Sequence, residues 1–111
     1  MAFKIVMAPE AAAALKALSK PVRSGVVKAM QLHLTHEPTK ISKSRIKRLR
    51  GMSQPQYRLR VDDIRVFYDV TETQVQVLAI IAKAEAQAWL DEQGRPAKDE
   101  AEGGGPGGSE R

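Results

Sequence analysis

The stretch YRLRVDDIRVFYDV, residues 57–70, decides the fold. Two runs of alternating β-branched, aromatic and charged residues flank Asp62-Asp63, and a pair of aspartates there suits the tight turn of an antiparallel hairpin. A two-residue turn pairs Val61 with Ile64, Arg60 with Arg65, Leu59 with Val66, Arg58 with Phe67 and Tyr57 with Tyr68. Because side chains alternate along a strand, Tyr57, Leu59, Val61, Ile64, Val66 and Tyr68 share one face and belong to a core. The other face carries Arg58, Arg60, Arg65 and Phe67. Two guanidinium groups then oppose each other, which destabilises a strand pair by a fraction of a kcal/mol to about 1 kcal/mol. A bound phosphate reverses that sign, since arginine offers a planar fork of donors matched to phosphate oxygens. Phe67, on the same face, is a candidate platform for stacking a base.

Outward from the hairpin, KRLRG (47–51) precedes it and QVQVLAII (74–81) follows it. These short segments are separated by Gly51, Pro55 and Thr71-Glu72-Thr73, and they read as further antiparallel strands. The stretch AKAEAQAWLDEQ then turns to residues with high helix propensity, closed by Gly94. At the other end, Phe3, Ile5 and Met7 alternate with Lys4 and Val6, as in a short strand that stops at Pro9. From Pro9 a helix begins, with Glu10 in its first turn and Ala11, Ala14, Leu15 and Leu18 on one face. Ser19 can cap a second helix with Pro21 in its first turn, Val22, Val26, Met30 and His33 at recurring spacing, and Pro38 as its stop. Helices joined so closely form a hairpin whose apolar stripe must be buried on the sheet. The predicted order is β-α-α-β-β-β-α: an α+β domain with a small, mainly antiparallel sheet, an N-terminal helical hairpin on one face and a short C-terminal helix.

The chain of 111 residues has room for one such domain. From Gly94 onward it has no hydrophobic residue larger than alanine, and five glycines lie between positions 103 and 108. Such a segment cannot offset its ordering entropy, so the expected division is a folded domain over 1–92 and a disordered Gly-rich tail over 93–111. There is no cysteine, which excludes disulfide scaffolds, thiolate metal sites and cysteine nucleophiles. No signal-peptide core or long apolar run is visible, so a cytoplasmic protein without a membrane partner is expected.

Net charge is +5, and its distribution says more than its size. Between Lys40 and Arg65 stand nine basic residues (Lys40, Lys43, Arg45, Lys47, Arg48, Arg50, Arg58, Arg60 and Arg65) against two acidic ones. That is a local net of +7, whereas the remaining sequence, with nine basic and eleven acidic residues, nets −2. Solubilising strand edges is one use for such charge. Its concentration on a single hairpin favours a polyanionic partner. Neither a metal-binding cluster nor a Gly-rich phosphate loop is present in the sequence. Histidine is a residue type suited to acid or base work, but His33 and His36 lie at the end of the second helix. Tyr57 and Tyr68 fall on the core face, Trp89 is suited to packing the third helix on the sheet, and Asp62-Asp63 reads as a turn.

KRLRGM (47–52), YRLRVDDIRVFYDV (57–70) and VQVLAIIAK (75–83), in this order of elements, resemble the RelE/ParE superfamily of bacterial toxin-antitoxin toxins, nearer to RelE. The resemblance covers essentially residues 1–92. It implies a small cytoplasmic toxin, held inactive by a cognate antitoxin, that enters the ribosome and cuts mRNA by attack of a 2′-hydroxyl on the neighbouring phosphate, without metal or other cofactor. Operator DNA would be bound only through the antitoxin complex. The family's basic catalytic residues map onto Arg58, Arg60 and Arg65, with Lys83 beside a further arginine position. Lys40, Lys43, Arg45, Lys47, Arg48, Arg50 and Phe67 are the corresponding candidates for contact with RNA and ribosome. The chain departs from the RelE pattern at its end: Ala84 stands near the usual arginine and Trp89-Leu90 near the usual tyrosine. Trp89 can stack but cannot exchange a proton, and arginine is a poor general base. Two alternatives therefore accompany the ribonuclease reading: a ParE-like inhibitor of DNA gyrase, and a catalytically degenerate paralogue that only binds antitoxin and operator.

Overall fold

The computed structural model describes residues 2–97. In chain order the elements are β1 (Lys4–Met7), α1 (Pro9–Ala17), α2 (Lys20–Leu34), β2 (Ile46–Arg48), β3 (Met52–Gln54), β4 (Tyr57–Val61), β5 (Ile64–Val70), β6 (Gln74–Ala82), α3 (Lys83–Gln93) and β7 (Arg95–Pro96). Five strands form one sheet in the order β1-β6-β5-β4-β2, antiparallel throughout except that β1 runs parallel to β6. This is the α+β fold expected, with KRLRG contributing a separate edge strand and β3 and β7 adding a small second sheet.

The β4–β5 hairpin has the register read from the sequence, Tyr57 opposite Tyr68 through Val61 opposite Ile64. Its two-residue turn places Asp62 at φ 52°, a left-handed conformation that aspartate tolerates better than most residues. Leu59, Ile64, Val66 and Tyr68 accordingly join Ala11, Leu15, Val26, Met30 and Leu34 of the helical hairpin in one core. On β6 the register shifts by one residue opposite Phe67 and Tyr68. That bulge lets Val75, Val77 and Ile80 all face the helices, which strict alternation forbids. Within the core Tyr57 and Tyr68 stack at 5.5 Å, and the Tyr68 hydroxyl donates to the Pro38 carbonyl at 2.6 Å.

The third helix crosses the opposite face of the sheet. Trp89 lies on Phe67 with ring centroids 5.2 Å apart and planes at 10°. The chain beyond α3 requires a correction to the expected boundary at residue 92. Arg95 and Pro96 pair with β3, Ser53 Oγ donates to the Arg95 and Pro96 carbonyls, and the Ala97 amide donates to Gly51. Composition missed this because backbone groups supply the bonds and need no apolar side chain. Gly94 is sterically required where the chain leaves α3, since a Cβ would collide with Met52 and with the Leu90 carbonyl. The rest of the expected tail, 98–111, lies outside the described residues.

Candidate functional site

Cross-strand pairing builds the basic face in two rows. Lys47 on β2, Arg58 on β4 and Phe67 on β5 form one; Arg60 on β4 and Arg65 on β5 form the next. The rows sit on the side of the sheet away from the helical hairpin. No carboxylate pairs with them: among the described residues the one ion pair is Lys40–Glu37, at 3.8 Å and elsewhere on the surface.

The three arginines differ in environment. Arg60 is exposed. Arg65 is only 7% exposed, and its Nη1 donates to the carbonyls of Asp62 at 2.8 Å and Ile64 at 3.1 Å, tying the guanidinium to the turn. Arg58 is half-buried, and its Nε is buried without a hydrogen-bond partner. Burial first, then the charges of Arg65 and Arg60, hold the Arg58 pKa below the ordinary arginine value. A charged donor left unsatisfied among like charges is an unfavourable arrangement for the protein alone. An anion between these groups removes both penalties.

Lys83 stands at the turn end of the same face: it follows Ala82, the partner of Ile64, and its amide donates to the Asp63 carbonyl at 2.7 Å. Lys47 and Arg50 border a groove of about 360 Å³ against α3, with Leu49, Met52, Leu90 and Asp91. Lys40 and Arg45 line a recess with His33 at the end of α2, and Lys43 sits in the exposed loop between them. Arg45 joins this recess to the basic rows, since its carbonyl accepts from the Arg60 amide at 2.8 Å. Burial, and then Arg45, lower the His33 pKa. Arg48 turns back onto its own loop, its Nη1 donating to Gln56 at 2.7 Å and Leu49 at 3.0 Å while its guanidinium lies 5.3 Å from the Tyr57 ring centre. Arg48 thus clamps its own loop through Nη1 while the residue stays exposed.

Phe67 also needs correction. The expectation that it stacks on a base fails in this conformation because the ring is fully buried under Trp89. The alternation of β5 identified its face, but no local pattern in α3 announced a residue that would cover it. Sequence reading further missed Asp69, 7% exposed on the same face of β5. Its Oδ1 accepts from the Gln56 amide at 2.8 Å and its Oδ2 from Gln54 Nε2 at 3.0 Å, which positions the β3–β4 connection. An aspartate inside the otherwise apolar end of IRVFYDV was the available signal.

The arrangement is therefore better suited in its chemistry to holding an anion than to moving protons. His33 lies in the recess at the end of α2 rather than on the arginine rows, Tyr68 is held by Pro38, and Asp69 has both oxygens engaged. No group of three or more histidines, aspartates or glutamates suited to a metal occurs among the described residues, nor is any helix there long and apolar enough to cross a membrane.

No protein-family model matches the chain, and no curated protein matches its sequence. Solved structures do match. The free E. coli toxin RelE, carrying two arginine-to-alanine substitutions, aligns with a TM-score of 0.60 and 26% identity over 83% of this chain and 94% of its own. This chain has a RelE-like toxin fold. RelE–RelB complexes from Pyrococcus horikoshii OT3 (TM-score 0.62, 23% identity, 75% of this chain and 97% of that one) and Methanococcus jannaschii (0.59, 15%, 76% and 96%) share it. In this RelE-like fold the arginine rows occupy the face that α3 only partly covers, leaving Arg60 open to solvent.

Proposed function

We propose that this protein is the toxin of a toxin-antitoxin pair and cleaves mRNA on the ribosome. The observation that carries the reading is the cluster of Arg58, Arg60 and Arg65 on one face of a RelE-like fold, with no carboxylate paired to it among the described residues. In this reading the exposed Arg60 meets the scissile phosphate first, and Arg65, fixed by the turn carbonyls, offers its remaining donors to the developing phosphorane. The 2′-oxygen forms a bond to phosphorus as the bond to the 5′-oxygen breaks, giving a 2′,3′-cyclic phosphate and a 5′-hydroxyl. Arg58, half-buried in the neighbouring row beside Arg60, stabilises the charge developing on the leaving oxygen, which takes its proton from water or a ribosomal group. The proton of the attacking hydroxyl passes to water or to a ribosomal group, because among the described residues this face holds no free base. Lys47, Arg50 and Lys83 extend the positive surface along the RNA, while Lys40, Lys43 and Arg45 lie beyond it.

An antitoxin partner is supported by the RelE–RelB complexes among the similar structures. It would neutralise the arginine face, act in the cytoplasm, and bring the toxin to operator DNA only as part of the complex. Induced expression of the chain alone tests the assignment, read by growth, by protein and DNA synthesis, and by the DNA-damage response. Rapid loss of protein synthesis supports a translation toxin. Arrest with DNA damage and intact translation identifies gyrase as the target, and unimpaired growth identifies a degenerate antitoxin-binding module.

A further inference from the structure

A second surface lies on the helix side of the sheet, where the N-terminal half of α2 meets the tip of the β4–β5 hairpin. The two border a groove of about 340 Å³. Its floor is apolar, formed by Val22, Val61 and Ile64, and Val22 is 43% exposed although it lies on the stripe that continues into the buried Val26 and Met30. Gly25 lies between them. Glycine inside a helix is less stable than alanine and is tolerated where something must come close. Among the described residues nothing does so, since a Cβ at Gly25 meets no atom within 4 Å. The glycine thus leaves a notch in a wall that the described residues do not fill. At the hairpin end, the exposed Asp62 and Asp63 stand at the rim without a salt-bridge partner among the described residues.

We infer that this groove is a docking site for an apolar helical segment of a partner protein that ends in lysine or arginine. Its leucine-type side chains cover Val22, Val61 and Ile64, its backbone approaches α2 at Gly25, and its terminal cations meet Asp62 and Asp63. Short amphipathic helices bind grooves of this kind through anchors on one face. The rim carboxylates repel an acidic segment, so the occupant differs in charge from any ligand of the arginine face. Because the groove and the arginines occupy opposite faces of the hairpin, the inference holds whether or not the chain cuts RNA.

Titration of the purified full chain with a labelled helical peptide of about twelve residues, with leucines at i, i+3, i+4 and i+7 and two C-terminal lysines, tests it. Amide resonances of residues 22–26 and 61–64 should shift. Binding should weaken at least about tenfold when the terminal lysines are replaced by glutamates, and by about as much in Gly25→Trp, which fills the notch. Thermal melting checks whether Gly25→Trp is folded. Should it not fold, Asp62→Asn/Asp63→Asn keeps residues that tolerate the turn and must still weaken the lysine peptide and remove the salt dependence of its binding. No binding, equal binding of the glutamate peptide, shifts confined to residues 58, 60 and 65, or a concentration-dependent dimer of the chain that protects the same amides each overturns the inference.

Discussion

Arg60 and Arg65 stand directly opposite each other on β4 and β5, the first exposed and the second 7% exposed with its Nη1 fixed on the Asp62 and Ile64 carbonyls. One arginine of the pair is thus free to meet a ligand, while the other also holds the turn. Arg60→Gln should raise stability by a few tenths of a kcal/mol to about 1 kcal/mol through loss of like-charge repulsion. Urea denaturation at low salt measures it. Sulfate or a short RNA should raise the melting temperature of the wild type more than that of the variant, the signature of an anion filling the arginine cluster.

Trp89 is the single tryptophan and stacks on Phe67, so its fluorescence reports the seating of α3. Trp89→Ala should destabilise the protein by about 1–3 kcal/mol and make the Phe67 side of the sheet accessible. Denaturant melts give the first quantity, and hydrogen exchange along β5 gives the second. If RNA binding tightens in this variant, α3 competes with RNA for that face.

Gly94→Ala drives a Cβ into Met52 and the Leu90 carbonyl. The strain should cost about 1–3 kcal/mol and speed hydrogen exchange at the Ala97 amide and in β3 and β7. Exchange in the β4–β5 hairpin should be little changed.

Burial first, then Tyr57, raises the Tyr68 pKa well above the ordinary value of a phenol. In the unfolded chain the phenol ionises near pH 10, whereas in the fold it stays protonated. The contribution of this group is therefore fully present below pH 10 and is lost as pH rises from there through the raised folded value. Tyr68→Phe should cost about 1–2 kcal/mol at neutral pH by leaving the buried Pro38 carbonyl without its donor. It should also flatten the alkaline loss of stability, which melts at stepped pH will reveal.

Alternation around Asp62-Asp63 was enough to fix the hairpin register and both its faces, because a one-residue slip would have turned the core stripe outward. The helical hairpin was equally legible from spacing, although Leu34, fully buried at the end of α2, was not part of that reading. What spacing could not supply was long-range contact. Trp89 on Phe67, Arg95–Pro96 on β3, and Asp69 holding Gln54 and Gln56 join segments whose local patterns are independent of each other. Charge arithmetic also hid a pole. The −2 outside residues 40–65 averages Lys16, Lys20, Arg23 and Lys28 of the helical hairpin with acids concentrated after residue 66.

The seat of Arg65 decides which variant can test cleavage. Arg65→Glu would bury a carboxylate beside the Asp62 and Ile64 carbonyls, so any lost activity could follow from lost folding. Arg60 is exposed and free of that difficulty. The most direct measurement is primer extension on an mRNA being translated by purified ribosomes, with wild-type protein and Arg60→Glu assayed in parallel and their folding checked by circular dichroism. New 5′ ends within translated codons, dependent on ribosomes and reduced at least about a hundredfold in Arg60→Glu, are the predicted result. An intact message at toxin concentrations equal to the ribosomes, or cleavage undiminished in the variant, would contradict the arginine face as the site of a ribosome-dependent ribonuclease.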